Sequence, residues 1–111
     1  MNIVVIGCGK IGTSVVSSLV SEGHDVVVVD TDPDIITEVT NIYDVIGVCG
    51  NGADCRTLRE ASVEKADLLV AATGSDELNM LACFMGRKMG AEHTIARIRN
   101  PEYNGENLDF M

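Results

Sequence analysis

Short apolar runs rich in β-branched residues alternate along the chain with segments whose apolar residues recur at helical spacing. The first run, Ile3 to Ile6, is continuously apolar, which is typical of a strand covered on both faces. Helical spacing follows at once, with apolar residues at positions 11, 15, 16, 19 and 20. Four further strands are predicted at 26–29, 45–48, 68–72 and 95–98. The pattern therefore indicates a regular alternation of strand and helix.

Helix-capping residues mark where the intervening helices begin. Ser or Asp just before a helix, and Pro at its first position, are typical of a helix start. We expect such starts at Asp32-Pro33, Asp54, Ser75 and Asn100-Pro101. Strands that alternate with helices pair in parallel through crossover connections. The sequence thus predicts an α/β fold with a doubly wound, mostly parallel, Rossmann-like sheet of five strands and helices on both faces.

The helix predicted from Ser75 to Met89 is apolar on more than one side. Its expected core stripe consists of Leu78, Ala82, Met85 and Met89. Met80 and Phe84 lie on a second face, which indicates either a subunit contact or a surface covered by further chain.

Composition and charge narrow the class of protein. The chain has 111 residues, 46% of them apolar and 23% charged, so we expect one globular domain over residues 1–111. It ends inside an amphipathic segment with Tyr103, Leu108 and Phe110, so we also expect the domain to be truncated at its C-terminus. Eight Lys and Arg against seventeen Asp and Glu give a net charge of −9, which disfavours nucleic acid and anionic lipid as partners.

The cysteine and histidine residues do not form a recognisable metal or catalytic pattern. The four cysteines include no CxxC pair, and His24 and His93 lack metal-ligand spacing. We expect no metal site, no catalytic residue, and thiols that stay reduced in the cytoplasm. Cys8 is either a redox thiol at a helix N-terminus or, as we favour, a small filler between two glycines.

The glycine loop, residues 7–12, has the sequence GCGKIG and joins the first strand directly to the first helix. That context makes the pattern typical of a dinucleotide-binding loop. Gly7 permits a tight turn, Gly9 lets a pyrophosphate approach the backbone, and Gly12 allows close packing of the helix. The N–H groups of the helix N-terminus then bind the anion. A glycine-rich turn without ligand is the alternative, and Lys10 either contacts a phosphate or extends into solvent.

Asp30 ends the second predicted strand, 18 residues after Gly12 (30 − 12). An acid at about this distance from the loop accepts the hydroxyls of an adenosine ribose and repels a 2′-phosphate, which favours NAD over NADP. The alternative is a solvated acid at a strand end. Asp32 is explained by its capping role beside Pro33, and a second ribose contact is the less favoured interpretation.

Other candidate residues follow the later strands, because ligands of this fold bind outside the carboxyl ends of the strands. Asn51, Gly52 and Ala53 would lie near the adenine, or they form only a turn ahead of a helix. Thr73 and Gly74 would face the phosphates and the second ribose. Arg97 interrupts the fifth predicted strand, and its guanidinium reaches a terminal phosphate or pairs with an acidic side chain.

Five segments together resemble the N-terminal nucleotide-binding domain of TrkA-type potassium-uptake regulators, the RCK or KTN domains. They are MNIVVIGCGKIGTSVVSSLV, VVVVDTD, GNGADCRTLREA, ADLLVAATGSDELNMLACFMGRKMGA and TIARIRNPEY. The resemblance covers nearly the whole chain, and DELN and ARIRNP carry most of its weight. It implies a regulatory subunit without catalytic turnover, bound to a potassium-translocating membrane protein at the cytoplasmic face of the plasma membrane.

The resemblance also implies ligands, contacts and assembly. Such domains bind NAD, NADH, ATP or ADP, and they assemble as dimers and as rings of eight domains. The family's nucleotide contacts correspond to Gly7, Gly9, Lys10, Ile11, Gly12, Asp30, Asp32, Asn51, Gly52, Ala53, Thr73, Gly74 and Arg97. The alternative function is the cofactor-binding half of an NAD-dependent dehydrogenase, which would share the glycine loop and Asp30 but need a further domain for its substrate.

Overall fold

The computed structural model of the protein describes residues 1–103. Its strands and α-helices alternate as predicted: β1 (Asn2–Ile6), α1 (Lys10–Ser21), β2 (Asp25–Asp30), α2 (Pro33–Ile42), β3 (Ile46–Cys49), α3 (Cys55–Glu60), β4 (Leu68–Ala71), α4 (Asp76–Met89) and β5 (His93–Ala96). Short 3₁₀ turns cover Val63–Lys65 and Pro101–Tyr103. Of the helix predicted from Asn100-Pro101, the described residues contain only the 3₁₀ turn Pro101–Tyr103, and the rest of that prediction lies outside them.

The five strands form one sheet in the order β3-β2-β1-β4-β5, and every pair is parallel. The predicted doubly wound Rossmann-like fold is confirmed. The chain runs outward from β1 to β3 and then returns to the other side of β1 with β4. The crevice at this switch point, beyond the carboxyl ends of β1 and β4, is where such sheets bind ligands.

Two apolar layers cover the two faces of the sheet. On one face, Val4, Ile6 and Leu69 pack with residues of α3 and α4. On the other, Val5 and Val28 pack with residues of α1 and α2. The continuous apolar runs of the strands are explained by this arrangement, because successive side chains point to opposite and equally buried faces.

Local capping chemistry sets the start of three helices. The carboxylates of Asp32 and Asp54 accept N–H bonds from Asp34 and Arg56 at 2.9 and 2.8 Å, and the hydroxyl of Ser75 accepts one from Leu78 at 3.1 Å. The predicted starts of α2, α3 and α4 are therefore confirmed.

The predicted core stripe of α4 is partly wrong. The buried positions of this helix include Asn79, Ala82, Cys83 and Gly86, whereas Leu78 lines a cleft. The rest of the stripe packs on the sheet, since Ala82 is buried and Met85 and Met89 pack against the same core. At Gly86 the helix lies close to β4, where a Cβ would be 2.7 Å from Cδ1 of Leu69.

Phe84 is exposed on the outer face of α4, with Nζ of Lys88 5.7 Å from its ring centroid. The two interpretations of the outer face therefore remain open.

The fifth strand lies two residues earlier than predicted, at His93–Ala96 instead of 95–98. It ends at Ala96, and Ile98 lies beyond it. The N–H of Arg97 still donates to the carbonyl of Ala71 at 2.9 Å, so the ladder to β4 extends one hydrogen bond past the strand. Arg97 therefore follows the strand rather than interrupting it.

Candidate functional site

A cleft of about 610 Å³ opens at the switch point, above the carboxyl ends of the strands. Its walls are formed by the loops after β1, β2, β3, β4 and β5. The predicted site residues that line it are Gly7, Gly9, Lys10, Ile11, Asp30, Gly52, Thr73, Gly74 and Arg97. The structure thus brings most of the predicted site together in one cavity.

The glycines of the loop have three different environments. Gly7 has φ +95°, and a Cβ there would lie 2.8 Å from the backbone N of Thr73. A Cβ on Gly12 would lie 1.8 Å from the carbonyl oxygen of Gly7, so this glycine is required for loop closure and does not line the cleft. A Cβ on Gly9 would meet no atom within 4 Å. The open side of the loop is therefore at Gly9, where backbone and ligand could approach each other.

Helix α1 begins differently from α2, α3 and α4, each of which has a side-chain cap. Its N-cap residue is Gly9, no side chain accepts a bond from its first turn, and that turn contains no acidic residue. The first N–H groups of a helix have no intrahelical acceptor. At α1 these groups, together with the positive end of the helix dipole, are left for an anion in the cleft.

Asp30 is held at the carboxyl end of β2 by two backbone groups. Its Oδ2 accepts the N–H of Cys8 at 2.9 Å, and its Oδ1 accepts the N–H of Asp32 at 2.9 Å. Each carboxylate oxygen can accept more than one hydrogen bond. The carboxylate is therefore fixed in orientation and can still accept the two hydroxyls of a ribose.

The remaining predicted residues have local roles. Asp32 caps α2, and Oδ1 of Asn51 accepts the N–H of Ala53 at 2.8 Å in a turn. The predicted site residues that do not line the cleft are Gly12, Asp32, Asn51 and Ala53. The turn interpretation offered for residues 51–53 therefore accounts for their polar contacts in the structure.

Thr73 lines the cleft, but its hydrogen-bond donors point away from a ligand. Its N–H and its hydroxyl lie 2.9 and 2.6 Å from Oδ1 of Asn79. Its hydroxyl oxygen already accepts the N–H of Ser75 at 3.2 Å, so Thr73 offers the cleft at most one further acceptor position.

Asn79 is a site residue that sequence reasoning missed. It is 0% exposed, and its Nδ2 donates to the carbonyls of Thr73 at 3.2 Å and of Arg97 at 2.8 Å. It joins the loops after β4 and β5 from beneath the cleft. The sequence does carry a signal for this role, since Asn79 lies at helical spacing with Ala82 and Gly86. A polar side chain on a buried helix face needs hydrogen-bond partners, which points to a structural contact there.

Asp76, in the first turn of α4, holds the segment that follows Arg97. It is 8% exposed, and its carboxylate accepts the N–H groups of Arg99 and Asn100 at 3.0 and 2.8 Å. These two amides, and then the nearby positive charges of Arg99 and Arg97, lower the pKa of Asp76 against the opposing effect of burial. The guanidinium of Arg99 also donates to the carbonyl of Gly74.

The guanidinium of Arg97 lies in no ion pair within residues 1–103. Among the described residues, no acidic side chain is therefore within ion-pair distance of Arg97, although its charge contributes to the lowered pKa of Asp76. With Lys10, it supplies the positive side chains of the cleft.

Cys8 lies in the loop but is not a reactive thiol. It is 5% exposed, and burial together with the charge of Asp30 raises its pKa to about 12. A thiol with so high a pKa stays protonated at neutral pH and is a poor nucleophile. The filler interpretation is supported.

The sheet order, the glycine loop and the acid at the end of β2 define a Rossmann-like domain with a cleft at its switch point. Residues 3–108 match the family model of the TrkA-N domain, and the chain belongs to this family.

Curated relatives are Trk potassium-uptake proteins. The chain is 38% identical over 103 residues to the "Trk system potassium uptake protein TrkA homolog" of Methanothermobacter thermautotrophicus, covering 93% of this chain and 48% of that protein. It is 41% identical over 104 residues to the "Trk system potassium uptake protein TrkA" of Haemophilus influenzae, covering 93% of this chain and 23% of that one. The chain thus spans about half or a quarter of the relatives it matches.

Solved structures share the fold. The GsuK channel bound to NAD is 26% identical, with a TM-score of 0.82 over 98% of this chain and 20% of that one. The NAD(P)-binding domain of an exopolyphosphatase-related protein from Archaeoglobus fulgidus is 22% identical, with a TM-score of 0.80 over 92% of this chain and 76% of that one. Within residues 1–103, no helix has the length and hydropathy to cross a bilayer, and no group of side chains is arranged to hold a metal ion.

Proposed function

We propose that the cleft binds an adenine nucleotide, NAD or NADH or else ATP or ADP, and that the domain is a regulatory, non-catalytic part of a potassium-uptake system. The observation that carries the nucleotide proposal is the pairing of the uncapped N-terminus of α1 with the fixed carboxylate of Asp30 on the walls of one cleft. Amides suit a phosphate, and a carboxylate suits a ribose.

In the proposed complex, the adenosine ribose donates its hydroxyls to Asp30 and the first phosphate lies on the amides that follow Gly9. A second phosphate then extends toward Arg97. Charge-assisted bonds to a guanidinium are among the stronger hydrogen bonds in proteins. Lys10 adds positive charge at the open edge of the cleft.

The titratable side chains that line the cleft are Cys8, Lys10, Asp30 and Arg97. This set suits recognition of sugar and phosphate. With Cys8 protonated, it offers no thiolate nucleophile. We infer a binding function without turnover. Family membership and the names of the curated relatives favour it over the cofactor-binding half of a dehydrogenase, whose catalytic residues would lie in a further domain.

The potassium-uptake context of the proposal is supported by family membership and by the names of the curated relatives. We propose a cytoplasmic location against the inner membrane face through a potassium-translocating partner, and a homo-oligomeric state. For nucleotide to control that partner, it must bind two arrangements of the assembly with different affinities.

Calorimetric titration with NADH, ATP, ADP and NADPH tests this proposal. We expect NADH and the adenosine phosphates to bind and NADPH to bind at least tenfold more weakly, because Asp30 repels the 2′-phosphate. Binding of NADH without ATP or ADP would favour the dehydrogenase alternative. Equal affinity for NADPH, or no binding of any nucleotide, would contradict the proposal.

A further inference from the structure

The buried side chain of Asn79 joins two walls of the cleft. Its Oδ1 lies 2.9 Å from the N–H of Thr73 after β4, and its Nδ2 donates to the carbonyl of Arg97 after β5 at 2.8 Å. The two loops are 24 residues apart in sequence (97 − 73), and this one amide contacts the backbone of both. Asn79 itself does not line the cleft.

The backbone of Arg97 is fixed from both sides. Its N–H donates to the carbonyl of Ala71 at 2.9 Å, and its carbonyl accepts from Asn79. Asp76 binds the next amides along the chain, those of Arg99 and Asn100. The first turns of α4 therefore set where the Arg97 side chain begins, while the guanidinium has no ion-pair partner within the described chain.

We propose that Asn79 is a positioning residue that directs Arg97 toward the second phosphate of the nucleotide, and so sets the preference for diphosphates over monophosphates. This inference rests on the proposed function, since it specifies what one wall of the same site recognises. Without the amide of Asn79, the Arg97 carbonyl loses its partner and the segment is free to shift. A shift of about 1 Å is enough to spoil a bidentate guanidinium–phosphate contact.

Calorimetric comparison of AMP and ADP tests this role, because only ADP carries the second phosphate. The wild-type protein is expected to bind ADP about tenfold or more tightly than AMP. Arg97→Ala should abolish that preference, and Asn79→Ala should remove most of it while changing AMP affinity little. In the double variant that carries Asn79→Ala and Arg97→Ala, the ratio of ADP affinity to AMP affinity should equal that of Arg97→Ala alone, because Asn79 acts through Arg97.

Controls separate positioning from loss of stability. Cys83→Ala alters another buried position of α4 and should lower the melting temperature without changing the ratio of ADP to AMP affinity. Should Asn79→Ala not fold, Asn79→Leu fills a similar volume without adding a charge and also removes the amide donor to Arg97, and it should lose the preference as well.

Four results would overturn the inference. Equal weakening of AMP and ADP by Asn79→Ala, or additive loss in the double variant, would make Asn79 merely structural. Equal affinity of the wild-type protein for AMP and ADP would show that Arg97 reaches no second phosphate. Nucleotide binding in the cleft would then still stand, without the contact between Arg97 and that phosphate. Failure of the folded wild-type protein to bind either nucleotide would overturn the proposed function and this inference with it.

Discussion

The backbone N–H of Cys8 donates a 2.9 Å hydrogen bond to Oδ2 of Asp30, tying the glycine loop to the carboxyl end of β2. The bond joins the two elements that the proposal assigns to phosphate and ribose. Because the N–H of Cys8 is used in this bond, it is not available to a phosphate. The proposed phosphate contacts are therefore the amides that follow Gly9. Asp30 therefore orients the loop as well as offering a ribose acceptor.

Replacing Asp30 should weaken nucleotide binding more than it weakens the fold. Asp30→Ala removes a charged hydrogen-bond acceptor and should cost about 1–3 kcal/mol in NADH affinity, measured by calorimetry. Asp25→Ala is the matched control, because Asp25 begins the same strand at its opposite end. Equal affinity in Asp30→Ala and the wild-type protein would remove Asp30 from the site.

Substitutions at two glycines of the loop should affect different properties, one the stability of the fold and the other the affinity for nucleotide. Gly12→Ala forces a Cβ against the carbonyl of Gly7 and should cost about 1–3 kcal/mol of stability, or roughly 4–20 °C in melting temperature. Gly9→Ala meets open space and should leave the melting temperature within about 5 °C while weakening NADH binding. Thermal denaturation measures the effect on stability, and calorimetry measures the effect on binding. A larger loss of stability in Gly9→Ala than in Gly12→Ala, with NADH binding unchanged in Gly9→Ala, would contradict these assignments.

Acid should release the segment after β5. The amides of Arg99 and Asn100 lower the pKa of Asp76 below its ordinary value of 3.8. Because the folded pKa is below the unfolded one, Asp76 contributes stability above its unfolded pKa, and this contribution is lost as pH falls through its folded pKa.

Asp76→Asn should therefore be less stable than the wild-type protein at pH 7, with the difference shrinking as pH falls below about 4, as measured by urea denaturation. Asp25→Asn, at an exposed carboxyl, is the control and should show little difference at either pH. A stability difference for Asp76→Asn that does not change with pH would contradict the role assigned to the carboxylate.

Thiol labelling should divide the cysteines into two pairs. Burial raises the pKa of Cys8 to about 12 and that of Cys83 to about 11, whereas Cys49 and Cys55 are exposed. Iodoacetamide at pH 8 should label Cys49 and Cys55 in the native protein, and Cys8 and Cys83 only after unfolding, as read by mass spectrometry. Rapid native labelling of Cys8 would revive its interpretation as a redox thiol.

The sequence was most informative where the determining contacts are local. The caps at Asp32, Asp54 and Ser75 each bind an amide two or three residues away, so the helix starts could be predicted from short patterns. The apolar strand runs predicted a two-sided sheet for a similar reason, since the alternation of side chains requires only that both faces be covered.

Prediction was weaker where the contacts join distant residues. Asn79 bonds to a residue 18 positions later, and no local pattern pairs it with Arg97. The end of β5 was misplaced because Ile98 continues the apolar pattern although the chain leaves the ladder after Arg97. On α4, the predicted stripe missed the buried positions Asn79, Cys83 and Gly86, because an apolar-stripe pattern ignores small and polar residues.

The location of the ligand is the central claim, and amide chemical-shift mapping during NADH titration tests it most directly. A second cleft, of about 380 Å³, lies at the opposite ends of the strands and is lined by residues that include Asp25, Val45 and Ile46. The account predicts the largest shifts at Gly9, Lys10 and the other loop residues of the first cleft. Shifts centred on the second cleft, with the resonances of the glycine loop unmoved, would contradict it.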